Sequence, residues 1–280
     1  MNRALGFRML LRDPMGLFGL VLATLLILSA VFAPLLASHD PAAIDVAAKL
    51  QPPTAAHWLG TDELGRDTWS RVLYGGRIAL AVALSATGLS VLFGGLFGLI
   101  AALGPRWLDH LLVLGFDTVR SYPVIILALA IGPIFGGGMV VLMGLLVATS
   151  IPYYARIMRS SVIAQASADY VEALRAMGMG RIRIAVRHIL PNVIGPILIL
   201  ASMDIPAFIM AESGISFLGV GVKAPATSWG LILDQGFRYI SHTPWLVIAG
   251  GVPLILATLG FTFLGEAMRD AYDPRLKRRG

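Results

Sequence analysis

The segment that decides the fold is Ile78–Leu103, which reads IALAVALSATGLSVLFGGLFGLIAAL and holds 26 residues without a charge. About 20 apolar residues in a helix suffice to cross the hydrocarbon core of a bilayer. Three more uncharged runs reach that length, at Met15–Leu36, Ser121–Ala155 and Trp245–Gly265. Only 14% of the residues are charged, and the mean hydropathy is +0.79. The chain is therefore predicted to be an all-α membrane protein that crosses the bilayer several times.

These runs, together with the apolar stretch Pro191–Ala211, predict six transmembrane helices. The run Ser121–Ala155 is long enough for two spans, and its three consecutive glycines before Met139 would end a helix at little cost. The first run is longer than the apolar core of a cleavable signal peptide, so we interpret it as a retained helix. The predicted helices lie at about 15–36, 78–103, 110–135, 139–158, 191–211 and 245–266. Residues 1–60 would hold the first helix and the start of an outer loop, and residues 61–280 the remaining transmembrane domain.

Lysine and arginine are concentrated on one side of these predicted helices. With a cytoplasmic N-terminus, the inward segments are 1–14, 104–121, 155–190 and 266–280, and they hold 16 of the 22 Lys and Arg residues. Cytoplasmic loops retain such residues, so both termini are predicted to be cytoplasmic. The same rule explains the net charge of +6 without nucleic acid as a partner.

Residues 169–192, DYVEALRAMGMGRIRIAVRHILPN, form a basic segment on the predicted cytoplasmic side. Asp169 and Glu172 have the spacing of a capping box, which predicts a short helix beginning there. Gly178 and Gly180 are expected to end that helix in the left-handed conformation that glycine adopts readily.

An apolar stripe is predicted on this helix, because Tyr170, Leu174 and Met177 fall at i, i+4 and i+7. Pro191 then stands at the start of the fifth span, where a proline is tolerated. The residues alone leave three interpretations open: a solvated loop that obeys the positive-inside rule, an interfacial helix among lipid headgroups, and a helix that docks onto a soluble partner. The solvated loop explains the charge but not the short helix and its paired glycines.

The same segment resembles the EAA loop of ABC-importer permeases, in which E-A-A, three residues, G, nine residues, I, one residue and L-P recur. Two positions depart from that pattern, since Leu174 replaces the usual third alanine and His188 the usual isoleucine. In that family the loop is a coupling helix that sits in a cleft on a separate ATPase subunit. The resemblance places a coupling loop at about 160–190, with candidate residues Glu172, Ala173, Leu174, Arg175, Met177, Gly178, Leu190 and Pro191.

The resemblance implies a type I ABC-importer permease architecture in a bacterial inner membrane, with no catalytic residue in this chain. A phosphate-binding loop needs the pattern G-x-x-x-x-G-K-[ST], and the sequence has no Gly-Lys pair. No cofactor is therefore expected here, and ATP and Mg²⁺ are expected on partner subunits. The implied partners are a second homologous permease, two ATPase subunits, an extracytoplasmic substrate-binding protein and membrane lipid.

A second motif, LGTDELGRD at Leu59–Asp67, lies on the predicted outer side between the first two spans. Its three acids invite a Ca²⁺ site, but the calcium-loop pattern D-x-[DN]-x-[DN]-G is not met, so no metal site is predicted. The glycines are expected to form turns, Arg66 to pair with a neighbouring carboxylate, and an amphipathic helix to follow. The candidate residues of this outer-loop motif are Gly60, Thr61, Asp62, Gly65, Arg66 and Asp67.

This motif resembles permeases for dipeptides, oligopeptides and nickel, where LGTD-x-LGRD follows the first span. The stretches RDPMGLFGLVL, SGISFLGVGVKAPATSWG and LGEAMRDAYDPRLK fit the same family, in particular the second of its two permeases. The implied cargo is a di- or oligopeptide, with nickel and glutathione-like compounds as alternatives. A secondary transporter is the alternative from another class, but it is expected to show an internal repeat, and we see none.

Asp204 lies near the middle of the fifth predicted span. An acid at that depth is costly and indicates either a transport pathway or a pairing role. Pro206 follows closely and frees a backbone carbonyl, so a kink with a water-lined cavity is one expectation here. A bond to a neighbouring helix or to the partner permease would make Asp204 structural instead, and both interpretations remain open.

Overall fold

The computed structural model describes residues 13–272, so the predictions for residues 1–12 and 273–280 lie outside the described residues. Between these limits the chain is helical, apart from loops and one isolated β-bridge between Thr61 and Asp67. Its α-helices are α1 (Pro14–Val31), α2 (Ala33–Leu36), α3 (Thr68–Leu103), α4 (Arg106–Arg120), α5 (Val124–Phe135), α6 (Met139–Ala166), α7 (Asp169–Ala176), α8 (Arg181–Ile184), α9 (Leu190–Phe217), α10 (Trp229–Arg238) and α11 (Trp245–Tyr272).

Five helical segments of the described chain are long and apolar enough to cross a membrane: α1, α3, α6, α11 and the continuous stretch Arg181–Phe217. Helices α4 and α5 pass the same test only as a bent pair, which makes a sixth. The prediction of an all-α membrane fold with six spans is confirmed if this pair is counted as one span. The side of the membrane on which the termini lie stays a prediction.

The third predicted span, at 110–135, is wrong as a single helix. Helices α4 and α5 meet at 86° across a break of three residues, Ser121–Pro123. Pro123 has no N–H to continue the hydrogen-bond ladder, and its ring disfavours the helical conformation at Tyr122. Helix α4 is anchored to α6 by an ion pair in which Arg159 Nε lies 2.6 Å from Asp109 Oδ1.

Several helices differ in length from their apolar runs. Helix α3 begins at Thr68 rather than at 78, α6 continues past 158 to Ala166, and α11 continues past 266 to Tyr272. The hydrocarbon thickness sets the length of the apolar run, but helical hydrogen bonding continues into the polar ends until a cap or a breaker stops it. The first predicted helix, at 15–36, is instead interrupted at Phe32, two residues before Pro34.

The fifth helix begins ten residues before its predicted start at Pro191. Helix α8 continues through a π-helical turn, Ala185–Ile189, directly into α9. A proline inside a helix leaves the carbonyl four residues earlier without its partner, and a π-turn is one way in which a helix absorbs that loss. The basic stretch RIRIAVRHI is therefore part of the spanning helix and not a loop before it.

Close approach at small residues holds the bundle together. Helix α3 packs along α6, and a Cβ on Gly94 would lie 2.6 Å from the Cβ of Tyr154. Helix α1 packs along α11, where a Cβ on Gly19 would lie 2.6 Å from the backbone nitrogen of Leu264. Glycines at such crossings let helix backbones approach closely. The packing places the outer-loop motif at the beginning of α3 and α7 beyond the end of α6, at opposite ends of the bundle.

Candidate functional site

Helix α7 carries the EAA-like residues and begins without a side-chain cap. Its N-cap is Ala168, and Asp169 and Glu172 lie inside the first turn with exposed side chains. The predicted capping box is wrong, because Asp169 is already helical and does not have the extended conformation of a cap residue. The two carboxylates instead stabilise this helix end through their interaction with the helix dipole.

Two side chains anchor α7 to the membrane helices. Val171 is fully buried, and Leu174 packs against the same apolar cluster, which includes Val162 of α6. The predicted single stripe is therefore divided, since Leu174 faces the cluster whereas Tyr170 and Met177 are exposed. The i, i+3 pair of Val171 and Leu174 is the buried face of this short helix.

Gly178 ends α7 in the left-handed conformation, as predicted, with φ +79°. Its N–H donates to the carbonyl of Arg175 at 2.9 Å, and the N–H of Met179 donates to the carbonyl of Leu174 at 3.1 Å. These two bonds define a Schellman motif. Gly180 does not share this role, because it has φ −65° and is the N-cap of α8; that part of the prediction is wrong.

Apart from the anchoring side chains Val171 and Leu174, helix α7 and the start of α8 expose both apolar and charged side chains. We call this exposed region the α7 surface, and it consists of the exposed side chains of Tyr170, Glu172, Arg175, Met177 and Ile182. Met177 is 72% exposed and Ile182 is 77% exposed. A surface cavity of about 330 Å³ lies beside Arg175, between α7 and the membrane helices. Exposed apolar side chains beside an arginine are typical of surfaces that bind a groove on a partner protein.

The second half of the EAA-like pattern lies at the start of α9. Leu190 packs against the cluster that anchors α7, while Pro191 is exposed, and His188 is half-buried. Ala173 is exposed on α7 itself. The eight predicted coupling residues thus lie in one region, where Leu174 and Leu190 are partly buried and pack against the apolar cluster.

The outer-loop motif is organised around the buried carboxylate of Asp62. Arg66 Nε donates to Asp62 Oδ2 at 2.6 Å, and Arg71 donates to the same oxygen. The Arg71 side chain is only 2% exposed and also reaches the Thr227 hydroxyl at 3.3 Å. Glu63 accepts from Arg66 and from Gln235 of α10. The predicted pairing of Arg66 is found, in a network that joins the motif to α3 and α10.

The two motif glycines form the predicted turns. Gly60 and Gly65 both have φ +73°, a region that other residues rarely adopt. A Cβ on Gly65 would overlap the backbone carbonyl of Asp45. Glycine is therefore required there by backbone conformation and by space.

Asp67 has a different role from the other two acids, because it caps α3. Its carboxylate accepts from the Ser70 amide at 2.8 Å and from the Ser70 hydroxyl at 2.6 Å, and His57 Nδ1 lies 2.9 Å away. Burial raises the pKa of the Asp67 carboxyl, but the hydrogen bonds from Ser70 and His57 and the nearby charge of His39 outweigh it, so the pKa lies below its ordinary value. Asp62, Glu63 and Asp67 therefore do not converge on one point.

Sequence reasoning missed Arg71, Trp229 and Gln235. Trp229 Nε1 donates to the carbonyl of Val72 at 2.9 Å, which fixes α10 against α3. These contacts join residues more than 150 positions apart, as in the pairs Arg71–Thr227 and Val72–Trp229. No local spacing or periodicity signals such a pair.

Asp204 lies on α9 at a cavity of about 580 Å³. The Tyr154 hydroxyl of α6 donates to Asp204 Oδ2 at 2.7 Å, so the carboxylate is bonded to a neighbouring helix. The same cavity is lined by Ser150, Tyr153 and Arg120. The geometry thus contains both features considered from the sequence, a bond between helices and a place on a cavity.

Family models match most of the chain. Residues 94–278 match the model described as binding-protein-dependent transport system inner membrane component. Residues 4–53 match the N-terminal TM domain of oligopeptide transport permease C. The first match begins within α3 and includes α7, the second includes α1, and the outer-loop motif at Leu59–Asp67 lies in neither.

Curated relatives and a solved structure agree with these matches. The chain is 37% identical over 271 residues to the dipeptide transport system permease protein DppC of Alkalihalophilus pseudofirmus, covering 97% of this chain and 89% of that protein. It is 37% identical over 273 residues to a putative peptide transport system permease protein of Brucella abortus, covering 98% and 92%. A chain in an inward-facing structure of the MetNI methionine ABC transporter shares the fold, with a TM-score of 0.59 and 20% identity over 72% of this chain and 97% of that one. This chain belongs to the family of binding-protein-dependent transport system inner membrane components, the permeases of ABC importers.

Proposed function

We propose that this inner-membrane chain is one of two homologous permeases of a peptide importer and that two separate ATPase subunits drive it through α7. The second permease would complete the translocation pathway, and an extracytoplasmic binding protein would deliver the peptide. ATP and Mg²⁺ would reside on the ATPase subunits. The relatives from Alkalihalophilus and Brucella are named as a dipeptide and a putative peptide permease, which supports peptide as the cargo.

The observation that carries the coupling proposal is the combination of a fixed inner face and an exposed outer face on α7. Val171 joins α7 to the apolar cluster between α6, α8 and α9, while Met177 projects away from it. A push on Met177 would therefore reach the spanning helices through packed side chains. Such coupling requires that the ATPase engage α7 differently in its two states.

The test is Met177→Glu in the assembled transporter, which places a charge on the α7 surface without disturbing buried packing. We expect the ATPase subunits to co-purify poorly with this variant and peptide uptake into proteoliposomes to fall in parallel. Val46→Glu is the matched control, since Val46 is 74% exposed and lies at the opposite end of the bundle. Retention of the ATPases by Met177→Glu at the level of wild type, with normal uptake, would show that α7 is not the docking element.

We also propose that Asp204 lines the peptide pathway. Asp204→Asn would lower peptide uptake more than its effect on stability explains, because the carboxylate faces the cavity as well as Tyr154. Tyr154→Phe removes the same bond between helices but leaves the carboxylate. Equal losses of uptake and of thermal stability in both variants would mean that Asp204 serves only the helix contact.

The cargo itself is tested on the binding protein that works with this permease. Calorimetric titration with dipeptides, longer peptides, glutathione and Ni²⁺ ranks the four ligand classes directly. We expect a peptide to bind most tightly. If Ni²⁺ or glutathione bound most tightly, that ligand would replace peptide as the proposed cargo. The coupling proposal would be unaffected.

A further inference from the structure

Three electron-pair donors from separate segments meet at the outer-motif end of α3. They are the side chains of His39, His57 and Asp67, whose nearest ligand atoms all lie within 4.8 Å of one another. His39 follows α2, His57 lies in the loop, and Asp67 caps α3. Sequence reasoning considered only the acids here, because the two histidines are 18 residues apart and show no metal-binding spacing.

Both imidazoles direct a ring nitrogen at the same carboxylate oxygen. Nδ1 of His57 lies 2.9 Å from Asp67 Oδ1, and Nδ1 of His39 lies 3.8 Å from it. The ring centroids are 4.7 Å apart. Donor atoms that share one ion at about 2.1 Å lie about 3–4 Å from one another. A small side-chain adjustment therefore suffices for one ion to contact all three.

The carboxylate is held in the orientation that such a site needs. Asp67 Oδ2 accepts from the Ser70 amide, from the Ser70 hydroxyl and, at 3.2 Å, from the Ser38 hydroxyl. The His39 amide donates to the Ser70 hydroxyl at 3.1 Å, which fixes the backbone that carries the first imidazole. Hydrogen bonds behind the ligands orient metal sites in this way.

A capping bond alone accounts for only part of this arrangement. One N–H···O bond from His57 to Asp67 would give both the Asp67 carboxylate and the His57 imidazole a hydrogen-bond partner. It leaves unexplained why the His39 ring lies beside the His57 ring with its Nδ1 toward the same oxygen, although His39 Nδ1 also lies 3.1 Å from the Ser38 hydroxyl. A cation satisfies all three donors together.

We propose that His39, His57 and Asp67 bind one divalent transition-metal ion, with Zn²⁺ as the best match to two imidazoles and one carboxylate. Three protein ligands leave a fourth position for water. The His39 side chain is 43% exposed, so the site is accessible from the aqueous side. The ion would join the segment after α2, the outer loop and the start of α3, and it would stabilise the folded outer segment by mass action.

The experiment uses the purified full-length transporter, treated with a chelator and titrated with Co²⁺ as a visible probe and with Zn²⁺ by calorimetry. We expect one ion for each copy of this chain and a rise in thermal midpoint on Zn²⁺ addition. His39→Ala and His57→Ala should each weaken binding at least about tenfold and remove the Co²⁺ absorption bands. His242→Ala is the matched control, because His242 is exposed near the same end of the bundle, outside this cluster, and should bind as wild type does.

Asp67→Asn separates ligation from folding, since asparagine caps helices about as well as aspartate but carries no charge. We expect this variant to assemble normally and to bind the metal weakly. Wild-type transporter that takes up no more metal than His57→Ala would overturn the proposal. So would metal binding that all three ligand variants retain. Neither outcome bears on the peptide or ATPase proposals.

Discussion

The outer-loop motif and the α7 segment are both short, charged sequences between apolar helices, but they are built in opposite ways. In the outer motif the charges point inward, where the buried Asp62 accepts from the buried Arg66 and from Arg71 of α3. In α7 the charged side chains are exposed, and Val171 and Leu174 pack the helix against the bundle. A short charged motif can therefore form a buried structural core or remain on an exposed surface, and burial distinguishes the two.

The largest expected difference comes from removing one carboxylate in each region. Asp62→Asn leaves the buried Arg71 without its counter-ion, and we expect a loss of about 3–5 kcal/mol of unfolding free energy. Glu172→Gln changes an exposed side chain on α7, and we expect a change within about 0.5 kcal/mol. Fluorescence-detected thermal unfolding of both variants measures the contrast. Equal losses of unfolding free energy would mean that the two carboxylates contribute equally to stability.

The glycines provide the second contrast, because Gly65 and Gly178 have nearly the same positive φ. A Cβ on Gly65 would overlap the backbone of Asp45, whereas a Cβ on Gly178 would meet no atom within 4 Å. Gly65→Ala is therefore expected to cost about 2–4 kcal/mol, from strain and overlap together. Gly178→Ala should cost about 1–2 kcal/mol, from strain alone. A lower thermal midpoint for Gly178→Ala than for Gly65→Ala would contradict this explanation.

The third contrast lies within α7. Val171→Ala removes two buried methyl groups, and we expect it to destabilise the protein by about 2 kcal/mol. Met177→Ala should leave stability within about 0.5 kcal/mol of wild type but lower ATP-driven uptake. Unfolding and uptake are measured on the same preparations. An uptake defect that follows stability in both variants would argue against a coupling role for Met177.

The smallest effect is expected from the ion pair that joins α4 to α6. Asp109 and Arg159 form two bonds of 2.6 Å, but Arg159 is about one-third exposed. We expect Asp109→Asn to cost about 1 kcal/mol, well below Asp62→Asn, because water screens the pair. Raising the salt concentration should reduce the effect of Asp109→Asn further and leave that of Asp62→Asn largely unchanged.

Local patterns predicted much of this molecule. The apolar runs located the spans, Asp169 and Gly178 located the start and end of the short helix, and Gly60 and Gly65 located the turns. Predictions that depended on helix ends were weaker. The capping box at Asp169 was wrong because Ala168 holds the cap position.

The sequence by itself determined the membrane class, the family resemblance and the positions of both motifs, because apolar length and local spacing are properties of neighbouring residues. The tertiary structure decided which charges are buried. It brought Arg71 to Thr227, Asp204 to Tyr154 and His39 to His57, contacts that depend on how helices pack. It also decided that the span interrupted at Pro123 bends by 86°, and that the helix around Pro191 continues through a π-turn. A proline signals a break in hydrogen bonding, but only the surrounding packing decides whether the helix bends there or continues.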